Sequence, residues 1–219
     1  MTRLNNITRT VNASKRCNAQ GCFHNRRKGV TGYCQPHERA RNLYGHPLGK
    51  FIRPRDYSAE KAEVTDFMEK YQEHPSITAT MKWLKGWLED TEKGKAMQAA
   101  REIYRLADYG VTANDILIET AAIWLYATRF PNRLPDDERL TYALGIGMLS
   151  LAPLYNTYQY TNGVEKKRSK RVPGKARKLI GRQLRSELSI LYMRIAERIQ
   201  EEQAQKNSFR QTLASHPFD

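Results

Sequence analysis

All three cysteines of the chain lie between positions 17 and 34, and a histidine follows the last of them by three residues. The pattern Cys17-x4-Cys22-x11-Cys34-x2-His37 constrains the fold more than any other feature. Residues 17–50 are rich in Cys, His, Gly, Asn and Arg and poor in apolar side chains. Such a segment buries too little surface to fold unaided and needs a staple. A disulfide would strand one of three thiols and is unusual in a reducing compartment. A tetrahedral zinc ion takes four S/N ligands, and Cys3His is a standard structural set. The spacing therefore predicts a structural Zn2+ held by Cys17, Cys22, Cys34 and His37. Gly21 suits a tight turn at positive φ that aims both thiols of "CNAQGC" at one point. Cys34 and His37, three apart, share a face of a helix's first turn, where Pro36 is tolerated. His24, two residues from Cys22, is an alternative fourth ligand, and His46 a more distant one. His37 is preferred for its place at the helix start. Four protein ligands leave no position for a reactive water, so the expected ion is not catalytic.

Charge is segregated along the chain. The formal net charge is +14. Residues 1–55 carry twelve Lys/Arg against one acid, and residues 153–186 carry ten against one. Between them, residues 56–152 carry eleven against sixteen. Solubility does not require two basic blocks around an acidic middle, whereas a phosphate-bearing polymer favours them. No apolar run is long enough to cross a membrane, and the first residues lack the apolar core of a signal peptide. A cytoplasmic location, in bacterial cytoplasm or nucleoid, is expected.

The expected fold is mainly α: a small zinc module, then a helical bundle with one β-hairpin and a long C-terminal helix. Residues 1–16 read as a flexible basic arm, 17–50 as the module, 51–56 as a linker broken by Pro54, and 57–205 as the helical domain. Helices are predicted from Ser58 as N-cap to before Pro75, over 77–91 and over 94–108 with a stop at Gly110. Two more follow, in "TANDILIETAAIWLYATRF" and "DDERLTYALGIGMLSLA". The first of these two is apolar on every side, which suits a buried central helix better than a recognition helix. Asn162-Gly163 between aromatic-polar alternations predicts a hairpin near 154–171. A helix over 174–204 carries the stripe Ile180, Leu184, Leu188, Leu191, Ile195 and Ile199, read as packing within the chain rather than as a dimer seam. Residues 206–219 read as a frayed tail.

The run from Cys17 to Pro47 resembles the small zinc modules of bacteriophage proteins that precede HNH homing endonuclease cores. The matching positions are Cys17, Cys22, Lys28, Gly32, Tyr33, Cys34, His37, Arg39, Arg41, Gly45 and Pro47. The resemblance covers about residues 17–48. It implies a treble-clef-like or zinc-knuckle module that grips DNA, and a phage or mobile-element origin. The HNH core itself is missing: after His46 only His74 and His216 remain, and no asparagine lies between His46 and His74.

These readings converge on a zinc-containing protein that binds nucleic acid, with duplex DNA as partner, acting as a phage or mobile-element regulator. The expected contacts are Arg26, Arg27 and Lys28 of the inter-ligand loop, and Arg39 and Arg41 beyond His37. In the second basic block they are Lys166, Lys167, Arg168, Lys170, Arg171, Lys175, Arg177 and Lys178. The basic start of the last helix opposes the helix dipole, which points to an external anion. RNA binding, with tyrosines near the hairpin stacking on bases, is an alternative, as is binding to a host protein; a homodimer is possible. A metal-dependent nuclease ranks lower, because no phosphate loop, Ser/His/Asp set or clustered acid motif is present.

Overall fold

The computed structural model of the chain describes residues 15–26, 31–90, 98–154, 156–161, 164–169 and 172–215, without side chains for 156–169 and 212–215. Arg27, Lys28, Lys170, Arg171 and most of the expected basic arm thus lie outside the described residues. The protein is mainly helical. Its helices are α1 Gln35–Tyr44, α2 Ser58–Tyr71, α3 Pro75–Asp90, α4 Gln98–Asp108, α5 Ala113–Arg129, α6 Asp137–Ser150 and α7 Gly174–Ser215. Two strands, β1 Asn156–Thr161 and β2 Val164–Ser169, pair antiparallel, with Tyr158 opposite Lys167 and Gln159 opposite Lys166.

α5 sits at the centre. Ile116, Leu117, Ala121, Ala122, Ile123 and Leu125 are all buried, so every side of the helix meets another element. Its start is fixed by a capping box in which the Thr112 side chain accepts from the Asp115 N–H and the Asp115 carboxylate accepts from the Thr112 N–H. α4 stops just before, at Gly110, whose φ is 75°. The Val111 N–H then reaches back to the Leu106 carbonyl, closing the helix end.

α7 packs along α5 and α6 through the predicted stripe: Ile180, Leu184, Leu188, Ile195 and Ile199 are buried and Leu191 is partly so. The crossing of α6 and α7 is made by backbone. A Cβ on Gly181 would overlap the Thr141 carbonyl, and one on Gly145 would overlap the Arg177 carbonyl. Only glycine lets two helices approach this closely.

Three local expectations are corrected. Residues 51–56 are no free linker: Phe51 packs near Tyr44, Ile52 joins the core and Pro54 opens a 3-10 turn over Pro54–Tyr57. Pro lacks an N–H that the first turn cannot use, so it starts this turn instead of ending a helix. Ser58 is the first residue of α2, and the cap position belongs to Tyr57. α7 runs past 204 to Ser215, where a frayed tail was expected. No Gly or Pro interrupts the sequence from Arg182 to His216, so the helix persists after its apolar stripe ends.

The buried side chains of Arg105 and Glu119 are paired. Arg105, fully buried, donates to the carbonyls of Leu149 at 3.0 Å, Ala152 at 2.7 Å and Pro153 at 2.6 Å, and to the Glu102 carboxylate at 3.0 Å. It thereby satisfies carbonyls at and just beyond the C-terminus of α6. Glu119 takes the hydroxyl of Tyr57 and the ammonium of Lys61. Burial, followed by this carboxylate, pushes the Tyr57 hydroxyl pKa upward. Among the described residues no helix is long and apolar enough to cross a membrane.

Candidate metal centre and the basic surface around it

The ligand-bearing segment is a two-armed loop closed by backbone. Arg16 and Asn25 form an antiparallel bridge. The Cys17 N–H donates to the His24 carbonyl at 2.9 Å, and the Arg26 N–H to the Lys15 carbonyl at 2.9 Å. At its tip the Cys22 N–H reaches the Ala19 carbonyl at 3.1 Å, and Gly21 takes φ 71°. Lys15 and Arg16 thus belong to this module rather than to an arm. The second pair comes from α1: Cys34 is its N-cap, and His37 lies in its first turn.

Cys17, Cys22, Cys34 and His37 offer ligand atoms that all lie within 4.8 Å of one another. His37 Nδ1 stands 3.4 Å from Cys17 Sγ and 3.2 Å from Cys34 Sγ, and Cys22 Sγ is 3.8 Å from Cys34 Sγ. With Zn–S near ~2.3 Å and Zn–N near ~2.1 Å, a regular tetrahedron has S–S edges of about 3.8 Å and S–N edges of about 3.6 Å. These three edges lie within about 0.4 Å of those values, and all six lie within 4.8 Å. His24 Nδ1 lies 3.6 Å from Cys22 Sγ but stands outside the four-ligand group.

The surroundings act on the two buried thiols in opposite directions. Burial pushes the Cys17 thiol up, yet N–H groups of Cys34 and Ala19, together with His37, outweigh it and bring it down to about 6. Cys34 goes the other way: burial raises it, a backbone N–H at His37 opposes this, and the neighbouring thiols raise it further. Adjacent buried thiols cannot all ionise without a counter-charge, and a divalent cation at their centre supplies one. The donor set and geometry are compatible with a metal ion.

The module is fastened to the bundle. A Cβ on Gly174, the first residue of α7, would overlap the Asn42 carbonyl of α1. Arg177 Nη1 donates to the Leu43 carbonyl at 3.3 Å. His46 Nδ1 accepts from Arg139 Nη2 at 2.6 Å and from the Leu48 N–H at 3.1 Å. Burial, then the Arg139 charge, lowers the His46 pKa, which keeps that nitrogen an acceptor.

The expected nucleic-acid residues fall into distinct positions. Arg39 and Arg41 are exposed on α1, with the Arg41 guanidinium 5.6 Å from the centre of the Tyr33 ring. Lys175 is exposed on the first turn of α7, beside α1. Lys166, Lys167 and Arg168 lie on β2. Arg26 is half-buried: its Nε donates to the Arg16 carbonyl at 2.9 Å and its Nη2 to the Asn18 side chain. It braces the loop rather than projecting from it. Lys178 and Arg185 pair with Glu138 and Asp137 of the first turn of α6. Part of α7's basic start therefore has an internal counter-charge, and the expectation of an external anion there is corrected to that extent. One exposed residue was missed. Phe23, between Cys22 and His24, is 81% exposed. An apolar ring among ligands and basic residues, in a loop too small to bury it, was the signal available in the sequence.

No family model, no curated protein and no solved structure matches this chain.

Proposed function

We propose that the protein binds nucleic acid, with duplex DNA as its partner, through a treble-clef-like module built on a structural Zn2+. The observation that carries this reading is the Cys3His group, four potential ligands within 4.8 Å of one another, with Arg39 and Arg41 exposed on α1 and Lys175 exposed on the turn of α7 that abuts α1. Four protein ligands close the coordination sphere, so the ion fixes shape and performs no reaction. Arg39, Arg41 and Lys175 supply phosphate contacts that set position, and Lys166, Lys167 and Arg168 of the hairpin supply further ones. Phe23 adds an apolar wedge beside this surface, as minor-groove binders insert between base steps. A regulator of a phage or mobile element is the biological setting that best suits a protein made for grip alone.

RNA is the second reading, and the exposure of Phe23 favours it, because an unpaired base can stack on such a ring. Fluorescence anisotropy with metal-loaded protein, random-sequence duplex DNA and single-stranded RNA across a salt series separates the two. The expected result is duplex binding that weakens with salt and loses about 0.9 of log–log slope per phosphate contact removed in Arg39→Ala/Arg41→Ala. Chelation, or Cys34→Ser, removes bound metal by elemental analysis and abolishes binding. Unchanged duplex binding in the double arginine variant overturns the proposal. Preference for RNA, lost in Phe23→Ala, transfers it to the second reading.

A further inference from the structure

A cleft of about 650 Å³ lies between residues 48–56, which follow α1, and residues 126–133, where α5 ends. Each side is a turn closed by backbone. On one, the Asp56 N–H donates to the Arg53 carbonyl at 2.8 Å, and the Arg53 N–H to the Asp56 carboxylate at 2.8 Å. On the other, the Arg133 N–H donates to the Phe130 carbonyl at 2.9 Å, and the Phe130 N–H to the Tyr126 carbonyl at 2.9 Å. Pro54 and Pro131 fix a backbone angle in each turn. The cleft's side chains are therefore carried on backbone that is set before any ligand arrives.

Those side chains are of two kinds. Lys50, Arg53 and Arg133 are exposed there, and none has an acidic partner among the described residues. Asp56, the one acid among the described lining residues, is engaged by the Arg53 N–H and stands 4.0 Å from Arg55. Arg139 lines the cleft too, but its Nε faces Asp136 at 3.0 Å and its Nη2 donates to His46. Three positive charges are left over in one concavity, an arrangement that an anion with several charges relieves. The second kind is aromatic: Phe51 is 44% exposed and Phe130 47%. Each has a ring behind it, Tyr44 at 6.5 Å between centres for Phe51 and Tyr126 at 5.0 Å for Phe130. A braced, half-exposed ring is a stacking platform that costs little side-chain entropy to use.

We propose that this cleft binds a nucleoside di- or triphosphate, with its base on Phe51 or Phe130 and its phosphates among Lys50, Arg53 and Arg133. Every base offers a π face, so the rings accept it without choosing the sequence. A single phosphate carries a charge of only about −1.5 to −2, so two or three phosphates answer the three cations better. The volume falls within the range of about 300–1,000 Å³ usual for small-ligand sites. The same chemistry is offered by a free nucleotide and by the 5′-triphosphate end of an RNA strand. None of these residues belongs to the set proposed to hold duplex DNA, so the inference does not rest on that reading.

Isothermal titration calorimetry of the full, metal-loaded chain with ATP tests it. The expected result is micromolar binding that weakens with salt, with adenosine and inorganic triphosphate each bound at least tenfold more weakly. Arg53→Ala/Arg133→Ala should cost at least tenfold in ATP affinity, and Phe51→Ala or Phe130→Ala about tenfold, the usual worth of a stacked base. All four side chains are exposed, so circular dichroism and melting curves should match the parent. Arg39→Ala/Arg41→Ala should leave ATP affinity unchanged, which separates this site from the duplex-binding surface. A hexaribonucleotide with a 5′-triphosphate identifies the source: tighter binding than ATP assigns an RNA end, and weaker binding a free nucleotide. No binding at millimolar ATP, inorganic triphosphate bound as tightly as ATP, or an affinity indifferent to the double arginine variant or to both phenylalanine variants overturns the inference.

Discussion

Replacing Gly181 by alanine should destabilise the protein, although alanine is the better helix former. At this position the new Cβ would overlap the Thr141 carbonyl oxygen, stand 2.8 Å from the carbonyl carbon and lie 3.2 Å from the Gly145 nitrogen. These are backbone atoms of α6, so no side-chain rotation relieves the contact. The two helices must separate, which opens the packing of Ile180 and Leu184 against α5 and α6. Overpacking of this kind costs about 1–3 kcal/mol, and the loosened contacts add about 1 kcal/mol more. Alanine returns about 1 kcal/mol through helix propensity. The net expectation is a loss of about 1–3 kcal/mol, which lowers the melting temperature by roughly 2–12 °C for a chain of this size. Gly86 of α3 provides the control, because a Cβ there meets nothing within 4 Å. Gly86→Ala should raise stability by about 0.5–1 kcal/mol. Urea unfolding followed by circular dichroism reads both variants. If the two substitutions shift the midpoint in the same direction, the backbone crossing of α6 and α7 is not the constraint described.

Arg105→Ala should cost about 3–5 kcal/mol, since it leaves Glu102 and three carbonyls at the end of α6 without their buried donor; a loss below about 1 kcal/mol in thermal melts would count against that role. Glu202 accepts from the Tyr71 hydroxyl and the Lys70 ammonium, and these lower its pKa from 4.5. A carboxyl whose folded pKa is depressed contributes stability that is present above about pH 4.5 and lost as pH falls through its lower folded value. Unfolding midpoints should therefore fall more steeply below pH 4.5 in the parent than in Glu202→Gln, and parallel curves would contradict the assignment.

Much of the helical scaffold could be read from local signals. α5 announces itself by apolar residues on every side, Thr112 and Asp115 supply its cap, and Gly110 ends the helix before it. The Cys3His grouping was equally legible, because four potential ligands at that spacing leave few alternatives and Gly21 and Pro36 fit the turns it needs. What escaped were pairings made across the fold. Arg26 looked like a free cation, but Asn18 and the Arg16 carbonyl reach it only once the loop closes on itself. Lys178 and Arg185 looked unbalanced along α7, and their acids sit on α6, 40 and 48 residues upstream. The last turns of α7 lack an apolar stripe, so periodicity gave no reason to extend it. Propensity and the absence of breakers decided the matter instead.

The contact between Gly174 and the Asn42 carbonyl, with Arg177 on Leu43 and Arg139 on His46, removes the freedom a tether would leave between module and bundle. Modules on a flexible linker engage a ligand one after the other, with an effective concentration set by linker length. Here the two parts arrive together. A ligand that touches both meets a single rigid template, loses its orientational freedom once, and must already match, or be bent to match, the fixed distance between them. Lengthening the chain between His46 and α2 would not relax that spacing, because the contacts of Gly174 with Asn42 and of Arg177 with Leu43 lie in the helices themselves.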